Sequence, residues 1–181
     1  IFILRSYKIN MTESVINIGC AQAEQTASVY DSADGLYEKI QHFFETQKES
    51  NSFTNAPYER IDIIITDSKE SFYLEEISDS TQLPEYQIFA YTTGKPSQIN
   101  AEDKSISSVN ALEYVKRFKN GSYRKSPIYN KTTREYKFYH PVSFGRKSGR
   151  KLVGFSVVTY KQELLMKQYF QTKVFAITMS I

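Results

Sequence analysis

Residues 134–160 read REYKFYHPVSFGRKSGRKLVGFSVVTY, and the reading of this stretch decides the fold. Arg134, Tyr136, Phe138, His140 and Val142 fall at every second position, the period of one face of a strand. Leu152 to Tyr160 is a second β-rich run, in which Val153, Phe155 and Val157 alternate with Leu152, Gly154, Ser156 and Val158. Between the two, Gly145 to Lys151 holds two glycines and four cations, the composition of a solvated hairpin loop. The stretch therefore predicts two long antiparallel strands, the second mostly buried. After Tyr160 the period becomes helical, with Leu164, Leu165, Tyr169 and Phe170 on one face, and the chain closes on the apolar run Val174 to Ile181.

Upstream, residues 6–48 predict one long polar helix with an apolar stripe: Ile9, Val15, Ile16, Ile18, then Val29, Ala33, Leu36, Tyr37, Ile40, Phe43 and Phe44. No proline interrupts it, but Gly19 and Gly35 each weaken it by about 1 kcal/mol relative to alanine, and a bend at either is allowed. Ser50 to Pro57 is a loop, and Arg60 to Asp67 (RIDIIITD) is a β-branched strand buried on most of its faces. Ser71 to Ile77 suits a strand or a short helix equally. Gln87 to Thr92 is short and apolar, Gly94–Pro96 is a turn, and Ile99 to Ser108 is a loop. Val109 to Lys119 is an amphipathic helix through Val109, Leu112, Val115 and Phe118, stopped by Asn120-Gly121. Tyr123 to Tyr129 predicts a short edge strand because of Pro127, and Asn130 to Thr133 turns into the hairpin. The order is that of an α+β domain with an antiparallel sheet of about five strands.

Composition narrows the function classes. The chain of 181 residues has 14 Tyr and 12 Phe but no Trp, a richness that suits a half-wet pocket or simply a sheet. A net charge of +3 hides an asymmetry: residues 1–115 carry 8 Lys and Arg against 18 Asp and Glu, leaving 15 of 23 cations and 2 of 20 acids to residues 116–181. The single cysteine, Cys20, excludes an intrachain disulfide, a cysteine-rich zinc site and CxxCH haem attachment. The chain shows no Gly-rich phosphate loop, nucleophile elbow or HExxH, so no catalytic centre is expected. His42 and His140 have no Cys or clustered acids nearby, which speaks against a metal; His140 is a candidate pH-sensing group. The apolar ends, Ile1 to Leu4 and Val174 to Ile181, read as stubs of two membrane helices cut at the surface, each far short of the roughly 20 residues a span needs.

Taken in order, the long helix, IDIIITDS, the helix at VNALEYVKRF, then YRKSPIYN, REYKFYHPVSF, the glycine turn and KLVGFSVVTYKQELL resemble the Cache group of PAS-like extracytoplasmic sensor domains. The resemblance covers nearly the whole chain and rests on the order of elements, not on one specific motif. It implies a PAS-like core over 51–160, between a membrane-proximal N-terminal helix over 1–50 and a C-terminal helix over 161–181. It also implies an extracytoplasmic domain of a bacterial histidine kinase, diguanylate cyclase or chemoreceptor, tethered through both ends. Separately, an unbroken N-terminal helix on the order of 60 Å would outreach the domain, an excess that pairing with a second copy as a homodimer would account for. No cofactor is implied, since the CxxCH of haem-carrying relatives is lacking. One departure from the group is that Glu135 is the only acid in the last two strands, which counts against an amine.

Such domains bind ligand on the sheet, where this chain offers Tyr123, Arg124, Arg134, Tyr136, Tyr139 and His140. Arginine and tyrosine at a partly dry site would hold a carboxylate and stack on an apolar group. Alternation separates Tyr136 from Tyr139, so the preferred subset is Arg134, Tyr136, His140 and Tyr123; an ordinary sheet face with solvated cations accounts for any one of them as well. Two other readings stand beside the small-ligand sensor. One is a sensor that binds a partner protein. The other is a nucleic-acid module using KRFKNGSYRK and GRKSGRK, which the acids upstream oppose; no nucleic acid is expected.

Overall fold

The strand β7, Lys151–Lys161, runs through the middle of the sheet and is buried almost throughout. In the computed structural model, which describes residues 2–49, 58–91, 103–145 and 149–163, β6 (Glu135–Phe144) pairs along one edge of β7. β1 (Tyr58–Ile65) and then β2 (Phe72–Tyr73) pair along the other edge. β3 (Tyr86–Tyr91) continues outward from β1 and carries β4 (Ser105–Ile106), while β5 (Ile128–Asn130) flanks the start of β6. Every pairing is antiparallel, and the strand order is β4-β3-β1-β7-β6-β5. The fold is α+β, as the sequence predicts, but the sheet has seven strands where about five are expected. The two extra strands, β2 and β4, are two residues long and carry no period.

The long helix is corrected from one helix to two, and the break falls at Gly35, one of the two glycines where a bend is allowed. It is two helices, α1 (Phe2–Ser32) and α2 (Tyr37–Glu49), separated where Asp34 and Gly35 take left-handed backbone at φ 54° and 68°. The stripe that α1 buries also differs from the large aliphatic residues. Gly19, Cys20, Ala23 and Ala27 go inward, while Ile18 and, past the break, Leu36 and Tyr37 stay exposed. Small residues let the helix axis come close to the sheet; a Cβ on Gly19 would lie 2.6 Å from the Phe138 ring. Two side-chain bonds then fasten α1 to β7: Ser156 Oγ donates to the Ala23 carbonyl, and Tyr160 Oη to Gln22 Oε1 at 2.8 Å. α2 seats Ile40 and Phe44, both essentially inaccessible, in the same core, each worth about 2–3 kcal/mol of burial.

The opposite face of the sheet is covered by α3, Ser108–Lys119. Ser107 caps its start by accepting from the Asn110 amide, and Gly121 at φ 73° ends it as expected. Its inward residues are Ala111 and Val115, not Val109, which is 76% exposed. Lys119 Nζ donates to the carbonyls of Glu75 and Ile77 and so clips the segment after β2 beneath the helix. Arg134 lies outside the predicted strand, in a turn at φ 55°, and Tyr123 belongs to a 3-10 turn, Ser122–Arg124, instead of a strand. Neither therefore obeys the alternation assigned to it. The expected terminal helix and apolar end lie at residues 164–181, outside the described residues, as do the side chains of Ile1 to Leu4. Among the described residues no helix is long and apolar enough to cross a membrane.

Gly154 provides the first test of this arrangement. An added Cβ there would stand 2.0 Å from the Ile64 carbonyl oxygen, in the backbone of the neighbouring strand. Gly154→Ala should lower the urea midpoint by the equivalent of roughly 3 kcal/mol. Gly121→Ala, with open space around it but a left-handed φ, should lose only about 1 kcal/mol.

Candidate functional site

β1 alternates Ile61 and Ile63 toward α1 with Arg60 and Asp62 toward α3. On a sheet with one wet face the charges would be solvated, but here both faces are covered. Arg60 is 8% exposed and Asp62 is fully buried. The register extends the charged pattern sideways: Arg60 faces Thr159 of β7, which faces Lys137 of β6. In the next row Asp62 faces Val157, which faces Tyr139. Asp103, just ahead of β4, completes the group from above.

The ion pairs form a chain. Arg60 Nε donates to Asp62 Oδ2 at 2.6 Å, and Arg60 Nη2 lies 3.4 Å from Asp103 Oδ2. Asp103 Oδ1 takes the Lys137 ammonium, which also lies 3.9 Å from Glu135 Oε2. Two cations thus meet three carboxylates, a net charge of −1 when all are ionised. Asp62 Oδ1, Glu135 Oε2 and Thr159 Oγ1 are buried without a hydrogen-bond partner among the described residues. Burial pushes the Asp62 carboxyl up to about 6, against the pull of Arg60. Arg60 itself stays firmly protonated: burial opposes its charge, and Asp62, Asp103 and Glu135 outweigh that.

Beside the chain, between α3, residues 122–128 and β6, is a small cavity with room for about one water molecule. Lys137 lines it, together with Tyr114, Arg117, Tyr123, Ser126 and Tyr139. The Tyr114 and Tyr139 rings stack at 3.9 Å, burial raises the pKa of both phenols, and the Tyr139 hydroxyl donates to that of Tyr114, so the pair stays neutral. Arg117 Nη2 donates to the Ser126 carbonyl at 2.5 Å, an exposed bond between two lining residues. The cations and hydroxyls of this lining, set among Pro127, Ile128 and Phe138, can hydrogen-bond a small acceptor group.

Of the residues singled out from the sequence, Tyr123 and Tyr139 reach this cavity. Tyr136 belongs to the other face, against the Tyr129 ring at 4.7 Å. His140 sits where β6 runs past the end of β5, with its ring 5.0 Å from Phe118 and 5.8 Å from Tyr123. Burial lowers its pKa. Arg124 is exposed, donating to Tyr123 Oη at 2.6 Å and pairing with Glu24 at 3.6 Å. Arg134, exposed in its turn, joins none of them. The residues missed are Arg60, Asp62, Asp103, Lys137, Tyr114 and Arg117. The signal for the first two was present, since RIDIIITD reads as buried on most faces and so must bury its charges. Asp103 stands in a stretch read as loop, where nothing local marks it. No family model, curated protein or solved structure matches the chain.

Asp62 and His140 bear on stability with opposite signs. The raised Asp62 pKa means that the native state takes up a proton near pH 6 that the unfolded chain takes up only near its ordinary value, so this group adds stability as pH falls. The lowered His140 pKa subtracts stability as pH falls below the usual histidine range. Comparison with Asp62→Asn isolates the first effect. Between pH 7 and pH 5 the unfolding free energy of the parent should rise relative to the variant by about 1 kcal/mol in urea titrations. A constant difference would show that Asp62 titrates as it does in water.

Proposed function

We propose that the chain is a ligand-sensing domain of a bacterial membrane signalling protein, of the Cache-like kind, held on the extracytoplasmic side through both of its ends. Its small-molecule ligand is received between the sheet and α3. The observation that carries this reading is the buried chain Asp62–Arg60–Asp103–Lys137, with unpartnered oxygens beside a polar cavity. Buried ion pairs are a poor source of stability, because desolvation offsets their attraction. Perturbed ionisable groups beside a cavity are the usual mark of a binding site.

Signal transmission follows from what lies behind the sheet. β6 and β7 carry the cavity side on one face and α1 on the other, with α1 bonded to β7 through Ser156 and Tyr160. At 31 residues α1 is on the order of 46 Å long, so a small shift of the strands becomes a displacement of a long helix. Ligand would favour one packing of sheet against helix over another. A homodimer through α1 belongs to the same reading.

The nucleic-acid reading is weakened by where its cations go. Lys116 pairs with Asp79, Lys119 caps carbonyls, Arg117 holds the Ser126 carbonyl and Arg124 holds Glu24. In KRFKNGSYRK, four of the five cations are thus engaged within the chain. A sensor of a partner protein remains the nearer alternative, since it needs the same α1 linkage.

A thermal-shift screen against organic acids, amines, amino acids, nucleobases and oligonucleotides tests the reading. A ligand at a hundred times its dissociation constant adds about 2.7 kcal/mol, which should raise Tm by roughly 5–10 °C. A small-molecule hit that Tyr139→Phe or Arg117→Gln weakens supports the site. A response to oligonucleotides alone, fading with salt, overturns it.

A further inference from the structure

We propose that the cavity takes the anion of a small carboxylic acid on Lys137 and Arg117 while Asp62 takes up a proton, so that the domain responds to the acid as anion plus proton. The inference rests on the ligand-sensing reading above and assigns to that same site a ligand class and a coupled proton. It begins from charge. The buried group carries −1 with all its members ionised, Arg117 at the cavity brings the sum to zero, and an anion entering there would return it to −1 beside buried carboxylates. One proton taken up with the anion restores zero.

The geometry says where that proton goes. Asp62 Oδ2 is held by Arg60, while Oδ1 is buried and has no partner among the described residues. The groups facing Asp62 and its neighbours come from every element packed there: Arg60 on β1, Asp103 ahead of β4, Lys137 and Tyr139 on β6, with Glu135 beyond them, Thr159 on β7, and Tyr114 and Arg117 on α3. Among these carboxylates Asp62 is the one that is wholly inaccessible, and its pKa is already raised toward neutrality.

The chain of pairs links the two events. Arg60 is shared between Asp62 and Asp103, and Asp103 in turn holds the Lys137 ammonium. Once Asp62 is neutral, Arg60 has only Asp103 to balance it, and Asp103 holds Lys137 less firmly. Lys137 lines the cavity, so its ammonium becomes available to an anion there. Arg117 adds a planar fork that matches a carboxylate once its bond to the Ser126 carbonyl opens. The Tyr114 hydroxyl, which accepts from Tyr139, supplies a neutral donor. The cavity holds about one water as it stands, so opening of that exposed Arg117–Ser126 bond is the movement that admits even the smallest acid.

Calorimetry with formate, which stays ionised from pH 5 to pH 7.5, tests the inference. Affinity should be about tenfold or more higher at pH 5, and titrations in buffers of differing ionisation heat should show net proton uptake near pH 6.5. Asp62→Asn should bind with the tighter affinity at both pH values, and Lys137→Met should not bind. Formate binding without pH dependence would overturn the proton coupling and leave the carboxylate site standing. No formate binding at either pH would overturn the inference, whereas a thermal-shift response to another ligand class would keep the sensing reading alive. Equal, pH-dependent binding of chloride would overturn the carboxylate assignment. Should Lys137→Met fail to fold, the carbon-13 resonance of the Asp62 carboxyl in the unaltered protein decides. Its titration must move to higher pH when formate is added, because linkage is reciprocal, and an unmoved titration would overturn the coupling.

Discussion

An antiparallel sheet whose two faces are both covered has no wet side to which alternate residues can be consigned. α1 and α2 close one face and α3, with the segment after β2, closes the other. Every strand position in the central part must therefore be apolar or internally paired. β7 meets the condition with Phe155, Val157, Val158 and Tyr160, and with Ser156 bonded to the Ala23 carbonyl; Thr159 Oγ1 is its exception. β1 and β6 meet it by pairing, since they bring Arg60, Asp62, Glu135 and Lys137 to the α3 side. The ion-pair chain is the consequence. Replacing such a chain by apolar residues of similar volume is often neutral or stabilising, so packing alone gives no account of it.

The two faces are built on different packing rules. Against α1 the sheet meets Gly19, Cys20, Ala23 and Ala27, so helix and strands approach closely and leave no slack. Against α3 it meets Ala111 and Val115 amid large rings, with a water-sized space left between Tyr114, Lys137 and Tyr139. His140 and Tyr139, adjacent in sequence, are turned apart by the pleat: Tyr139 lines the cavity, while the His140 ring packs on Phe118 and Tyr123.

The sequence by itself determined the α+β class, the hairpin of β6 and β7, the extent of α3 to within a residue, and the burial of RIDIIITD. These rest on period and on turn residues, which act locally. Tertiary structure decided the rest. The long helix divides at Asp34-Gly35 because left-handed backbone there lets α2 fold back onto β3, a gain visible only once β3 is in place. Its buried stripe was legible in part: Ile16, Val29, Ala33, Ile40, Phe43 and Phe44 do join the core, whereas Gly19, Cys20 and Ala23 carry little hydrophobic signal and win their positions by allowing close approach. β2 and β4 exist because neighbours offer them partners; two residues have no period. The site was half legible: Tyr123 and Tyr139 stand where a sheet-bound ligand would meet them. The charges that define it come from β1, β6 and the residue ahead of β4, and only strand register and the covering by α3 bring Arg60, Asp62, Asp103 and Lys137 together out of water.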